Sequence, residues 1–178
     1  MRALTLLRHA KSSWDDRTQR DFDRPLNERG RRAAAVMGAF IKAEGLAFDH
    51  VLASPAIRVR ETIACAEAAL GRPLGAQFDK GIYMASSVTL LEHLAAVAGN
   101  PARILLIGHN PGLEDLALQL LPETDPLRAL VLEKYPTASL AELTLPADSW
   151  AEATDGTARL TRFTRPRDLD PELGPEED

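Results

Sequence analysis

The stretch RILLIGHNP, Arg103 to Pro111, decides the fold. Arg103 to Ile107 is a short, largely apolar run whose length suits a buried strand better than a helix. Gly108-His109-Asn110 ends it, and Pro111 is suited to open a helix. The same order of strand, turn and helix can be read twice more upstream. Leu4 to Leu7 is an apolar run that stops abruptly at Arg8-His9. His50 to Ala53 is another, followed by Ser54-Pro55, a capping side chain and a proline for the first helical position. The helical text AIRVRETIACAEAAL then runs as far as Gly71.

Outside these units the pattern continues. NERGRRAAAVMGAFIKAEG, from Asn27, is rich in alanine and repeats apolar residues at Ala33, Val36, Met37, Phe40 and Ile41, a helical stripe that Gly45 stops. A brief strand is expected over Ala76 to Phe78, and Ser86 caps a helix over SVTLLEHLAAVAG. The pattern weakens after Pro122 until SLAELTL and TARLTRFT, whose alternation and threonines predict two further strands. Parallel neighbours need crossover connections, which alternating strands and helices supply. The expected fold is therefore α/β, a three-layer sandwich with a mostly parallel central sheet flanked by helices. Residues 1–165 read as one domain, and the proline-rich acidic segment 166–178 as a mobile tail with little to bury.

A chain of 178 residues, 45% hydrophobic and 26% charged, has the make-up of one ordinary globular core. The single cysteine, Cys65, excludes an internal disulfide and reads as a small buried filler in TIACAEAAL. No apolar run approaches the ~20 residues of a membrane span. MRALTLLRHAK is too short for a secretory signal, so a cytoplasmic protein with no membrane partner is expected. The formal net charge of -5 argues against nucleic acid as a partner and requires any phosphate site to be local.

In an open parallel sheet, ligands bind beyond the carboxyl ends of the strands. Arg8, His9, Ser54 and His109 all fall there, and Arg58 lies on the first turn of the helix after Ser54. Two imidazoles and two guanidiniums at one sheet edge suit a phosphoryl dianion, because arginine offers paired donors that match phosphate oxygens. A helix start at Pro55 or Pro111 would add backbone N–H groups. Taken singly, each piece has an ordinary explanation: a polar strand exit at Arg8-His9, a capped helix start with exposed arginines in SPAIRVRET, a helix cap at His109. Their conjunction carries the inference.

LTLLRHAKSSW, LASPAIRVRETIA and ILLIGHNP, in that order and spacing, resemble the histidine phosphatase superfamily, which includes the phosphoglycerate mutases. RHAK, the DRPLNERG segment and the short chain most resemble its SixA-type phosphohistidine phosphatase branch. The resemblance is close from Leu4 to about Pro111 and loose beyond. It implies a phosphatase in which His9 accepts the phosphoryl group and Arg8, Arg58 and His109 form the phosphate pocket. A neutral nitrogen of His9 would attack phosphorus in line, and water would cleave the resulting phosphohistidine. No cofactor and no metal is called for, since Arg8, Arg58 and a protonated His109 would neutralise the transferring oxygens.

Departures from the family pattern bear on the substrate. Ala10 stands where the more familiar motif has glycine, a small change that still permits close approach. The larger members place an acidic proton donor in the region that here reads GIYMASSVTLLEH, which holds no carboxylate before Glu92. A positioned acid speeds departure of a basic alkoxide by roughly 100-fold to 10,000-fold, whereas the imidazole of a phosphohistidine can take its proton from solvent. The expected substrate is a protein with a phosphohistidine domain. A small phosphorylated molecule is the alternative, and a phosphate-recognition module without hydrolysis is a third reading; the chain lacks length for a mutase. Asp15, Asp16, Asp21 and Asp23 are the candidates for a substitute donor, and Asp15 stands where the superfamily often has an asparagine that contacts phosphate. Glu61 and Glu114 read as surface or helix-dipole partners, His50 and His93 as structural or exposed, and Trp14 as lining a pocket mouth or packing.

Overall fold

The computed structural model describes residues 1–175. The six expected strands are present: β1 (Arg2–Arg8), β2 (His50–Ala53), β3 (Gln77–Phe78), β4 (Arg103–Gly108), β5 (Leu140–Leu145) and β6 (Arg159–Thr164). They form one sheet in the order β3-β2-β4-β1-β5-β6. The first four in that order run parallel, and β5 is antiparallel to both of its neighbours. The helices are α1 (Glu28–Ala43), α2 (Ile57–Leu70), α3 (Ser87–Ala95), α4 (Gly112–Leu120), α5 (Arg128–Glu133) and α6 (Pro166–Leu169).

Strand alternation divides the apolar residues between two faces. Leu4 and Leu6 of β1 and Ile104 and Leu106 of β4 pack with Leu90 and Leu94 of α3 and Leu113 and Leu116 of α4. Leu7, Leu105 and Ile107 pack on the other side with Met37 and Ile41 of α1 and Val59 and Ile63 of α2. A strand covered on both faces needs apolar side chains at nearly every position, which is why Ile104 to Ile107 of β4 and Leu4, Leu6 and Leu7 of β1 are buried apolar residues. Full burial of each such side chain contributes about 1.5–3 kcal/mol. α1 and α2 come into close contact where Gly38 lies on the Ala66 backbone, with no room for a Cβ.

Helix ends follow side-chain chemistry. Asn27 caps α1 by accepting from Gly30 N at 2.7 Å, and Ser86 caps α3 as expected. α2 corrects the sequence reading. It begins at Ile57 with Ala56 at its cap position, so Ser54 does not cap it by the expected geometry and Pro55 precedes it. Cys65 is half-buried rather than fully buried. α5 falls in the stretch after Pro122 where the pattern was weak.

Within the segment 166–178, expected as a mobile tail, the structure describes residues 166–175. α6 and a 3-10 turn at Pro171–Leu173 lie on α1, where Arg32 pairs with Asp170 (2.6 Å) and Glu172, and Arg29 donates to the Glu172 carbonyl (3.0 Å). Acidic residues with little to bury are held here by basic partners on α1. Residues 176–178 of that expected tail lie outside the described residues. Among the described residues, no helix is long and apolar enough to cross a membrane.

Candidate active site

Register brings the distant motifs together. Arg8 of β1 pairs with Gly108 of β4, so His9 and His109 leave adjacent parallel strands at the same level. Ala53 of β2 pairs with Ile107 of β4, which sets Ser54 beside them. Backbone bonds extend the ladder past the strand ends, from His9 N to the Gly108 carbonyl at 3.0 Å and from Ser54 N to the Ile107 carbonyl at 3.1 Å. The two imidazole rings lie 5.2 Å apart, tilted by 55°.

His9 is buried, and its Nδ1 lies 2.7 Å from the Ala10 carbonyl. A carbonyl oxygen only accepts, so Nδ1 carries the proton and Nε2 of the neutral ring keeps its lone pair. Burial pushes the ring down to about 3, against the pull of the Ala10 bond and with help from the cations Arg58 and Arg8. The loop behind it is anchored by Thr62, whose Oγ1 accepts from Ala10 N (2.9 Å) and donates to the Arg58 carbonyl (2.6 Å).

His109 is fixed in the opposite tautomer. Its Nδ1 faces Arg58 Nη2 at 3.2 Å, and a guanidinium only donates, so Nδ1 accepts and Nε2–H is given to Ser54 Oγ at 2.7 Å. Burial, followed by His9 and Arg58, pushes this ring too down to about 3. The protonated His109 is an expectation for the transfer step; in the structure the buried ring accepts from an arginine and is neutral.

Arg58, on the first turn of α2, is almost wholly buried and donates to the Asp21 carbonyl (2.6 Å) and to Asp21 Oδ2 (2.9 Å). Asp21 also accepts from Arg24 (3.0 Å) and from the Tyr83 hydroxyl, whose ring meets His109 edge-on at 5.3 Å. Burial favours the neutral acid, but these donors outweigh it and hold the Asp21 carboxyl well below the usual carboxylate range. Arg8 turns toward the other side of the sheet and donates to the Tyr135 carbonyl at 2.8 Å, while its charge still bears on both rings.

Residues 4–82 match the model of the histidine phosphatase superfamily (branch 1). A structure of a candidate phosphohistidine phosphatase SixA from Agrobacterium tumefaciens is 31% identical, with a TM-score of 0.74 over 92% of this chain and 97% of that one. The chain belongs to the histidine phosphatase superfamily, on its SixA-type branch. A second SixA candidate, from Nakamurella multipartitia, is 25% identical with a TM-score of 0.80 over 93% of this chain and 96% of that one. An uncharacterized protein of Mycobacterium tuberculosis (strain ATCC 25618 / H37Rv) is 37% identical over 164 residues, 90% of this chain and 100% of that protein.

Seen as a histidine phosphatase, the chain gathers His9, His109 and Arg58 in direct succession, with Arg8 flanking them. Of the four loop aspartates only Asp21 reaches this group. Asp15 is exposed, Asp16 bonds Thr18, and Asp23 pairs with Arg20 at 2.6 Å. Glu61 and Glu114 are not surface or dipole partners alone: Glu61 accepts from Leu26 N (3.2 Å) and Glu114 from Asn110 (3.1 Å). His93 faces Asp79 at 3.2 Å, and Trp14 is exposed under the Arg24 guanidinium. Sequence reading missed Tyr83, Thr62 and the Ser54–His109 bond. Only Ser54 carried a signal, its place at a strand end. Among the described residues, no group of three or more His, Cys, Asp and Glu side chains is arranged as a metal site.

Proposed function

We propose that this histidine phosphatase moves a phosphoryl group from a protein phosphohistidine to Nε2 of His9 and then to water. The observation that carries the proposal is the tautomer of His9. Its Nδ1–H is committed to the Ala10 carbonyl at 2.7 Å, which leaves Nε2 as the nucleophile within a cluster of cationic groups.

In the first step the Nε2 lone pair attacks phosphorus, the bond from phosphorus to the leaving nitrogen breaks, and the departing imidazole takes a proton from solvent. In the second, water attacks phosphorus and the bond from phosphorus to Nε2 breaks, giving inorganic phosphate, a proton and free His9. Arg58 exchanges Asp21 for the phosphoryl oxygens, and Arg8 adds charge from the flank. A dianion beside His109 raises that ring's proton affinity, so His109 takes up a proton and its Nδ1, accepting in the structure, becomes a donor to the phosphoryl group. The scheme calls for no metal ion. The single cysteine fits a reducing compartment, and we place the activity in the cytoplasm.

The substrate class rests on the state of the nearest acid. Asp21 is held ionised, so among the described residues the carboxyl nearest the histidines does not stand ready to protonate an alkoxide. A phosphoramidate makes no such demand. Turnover of a phosphohistidine protein and of a simple alkyl phosphate, measured side by side, tests this. The phosphoramidate is expected to be the better substrate, and a clear preference for the alkyl ester would overturn the assignment.

A further inference from the structure

Beside the histidines opens a cavity of about 520 Å³, within the ~300–1,000 Å³ range of small-ligand sites. It shares Arg8 with the candidate active site, but neither His9 nor His109 lines it. Its cations are Arg8, Lys11, Arg29, Lys134, Arg165 and Arg167, and no acidic residue is among the described lining residues. They come from four separate places: the end of β1 and its following loop, the first turn of α1, the residue after α5, and the junction of β6 with α6. Such a concentration runs against the net charge of -5 and is not a consequence of composition.

Several of these cations are already positioned. Arg165 is held through a two-point pair with Asp168 (2.9 and 3.0 Å), Arg29 through the Glu172 carbonyl (3.0 Å) and Arg8 through the Tyr135 carbonyl (2.8 Å). Lys134 is exposed at the edge. Asp168 offsets part of the charge of Arg165, and Glu114 and Glu133 lie near enough to act on Arg8 and Arg165 from outside the lining. Lys11 and Arg29 are engaged as well, so the case for a carboxylate partner rests on Arg8, Lys134, Arg165 and Arg167.

We propose that this cavity binds acidic side chains that the phosphoprotein substrate carries close to its phosphohistidine. The proposal rests on the phosphatase reading of His9, because Arg8 is the point where the two sites join. Pro136, Pro166 and Leu173 also line the cavity and offer apolar surface to methylene stems, which glutamates have and a bare polyphosphate lacks. Paired guanidiniums then meet the carboxylates.

The test uses the full chain and two phosphohistidine peptides, one flanked by glutamates and one by glutamines. Phosphoramidate serves as a probe of the His9 site alone. The glutamate peptide is expected to have the higher kcat/KM at low salt, through KM, with the advantage shrinking as salt rises. Lys134→Gln combined with Arg167→Gln should cut that advantage by about two- to thirtyfold, the range for two surface ion pairs, while phosphoramidate turnover stays unchanged. Equal turnover of both peptides, or equal loss on phosphoramidate, would overturn the proposal. So would competition by tripolyphosphate with no effect of peptide charge. Should no probe be hydrolysed, the phosphatase reading fails. Calorimetric binding of an unphosphorylated glutamate-rich peptide, lost in the double variant, still decides the cavity.

Discussion

Replacing Asp21 with asparagine separates two roles for the one loop carboxylate that reaches the histidines. As a general acid for an alkoxide, Asp21 would be worth roughly 100-fold to 10,000-fold. The structure assigns it another part. It accepts from Arg58 (2.9 Å), Arg24 (3.0 Å) and Tyr83, and its side chain is 48% exposed, so solvent screens the pairs. An ion pair screened to that degree contributes about 0–1 kcal/mol, and 1 kcal/mol is about fivefold in rate. Asparagine also keeps an oxygen for the same donors. With two such pairs, the Asp21→Asn variant is therefore expected to lose no more than about thirtyfold in kcat/KM. The loss should be the same on a phosphoramidate and on an alkyl phosphate, with an unchanged pH profile. Steady-state kinetics with both substrates across pH make the comparison. A loss of about 100-fold or more confined to the alkyl ester would refute the reasoning and identify Asp21 as the proton donor.

Other outcomes follow from the same contacts. Thr62→Val leaves the buried Ala10 N–H without its acceptor (2.9 Å), a cost of about 1–3 kcal/mol. At this chain length that lowers Tm by about 3–10 °C in a thermal melt, and an unchanged Tm would contradict it. Gly38→Ala drives a Cβ into the Ala66 carbonyl at the α1/α2 contact, which cannot yield as a side chain would; a loss of about 1–3 kcal/mol in urea unfolding is expected, and no loss would show that the helices part freely. Acidification should destabilise the fold, because His9 and His109 are held down to about 3 when folded. Unfolded histidines take up protons from about pH 6.5 downward, so the stabilisation from the neutral rings is present above that pH and is lost as pH falls toward 3. At pH 5 each ring accounts for about 2 kcal/mol of the loss. His9→Gln should flatten urea midpoints over this window relative to wild type, and parallel curves would contradict the assignment.

The central strands β1 and β4 were legible because they lie between two helical layers and are apolar at nearly every position, and β5 and β6 because their residues alternate. α5 and the docked segment 166–173 were not, since elements of four to six residues depend on tertiary contacts such as Arg32 with Asp170 rather than on periodicity. His9, His109 and Arg58 could be named together because strand ends in a parallel sheet point to one edge. Their protonation states could not, because these depend on which group faces each ring nitrogen. Asp21 looked no different from Asp15, Asp16 and Asp23; the 3-10 turn at Asp21–Asp23 places its carboxylate against Arg58, and no local pattern encodes that meeting.

The central claim is that Nε2 of His9 receives the phosphoryl group. Rapid-quench labelling during turnover of a phosphohistidine protein, followed by peptide mapping, tests it directly. A transient phosphoryl adduct on His9 that is absent from His9→Ala, itself inactive, is the expected result. An adduct on another residue, or full turnover by His9→Ala, would contradict it.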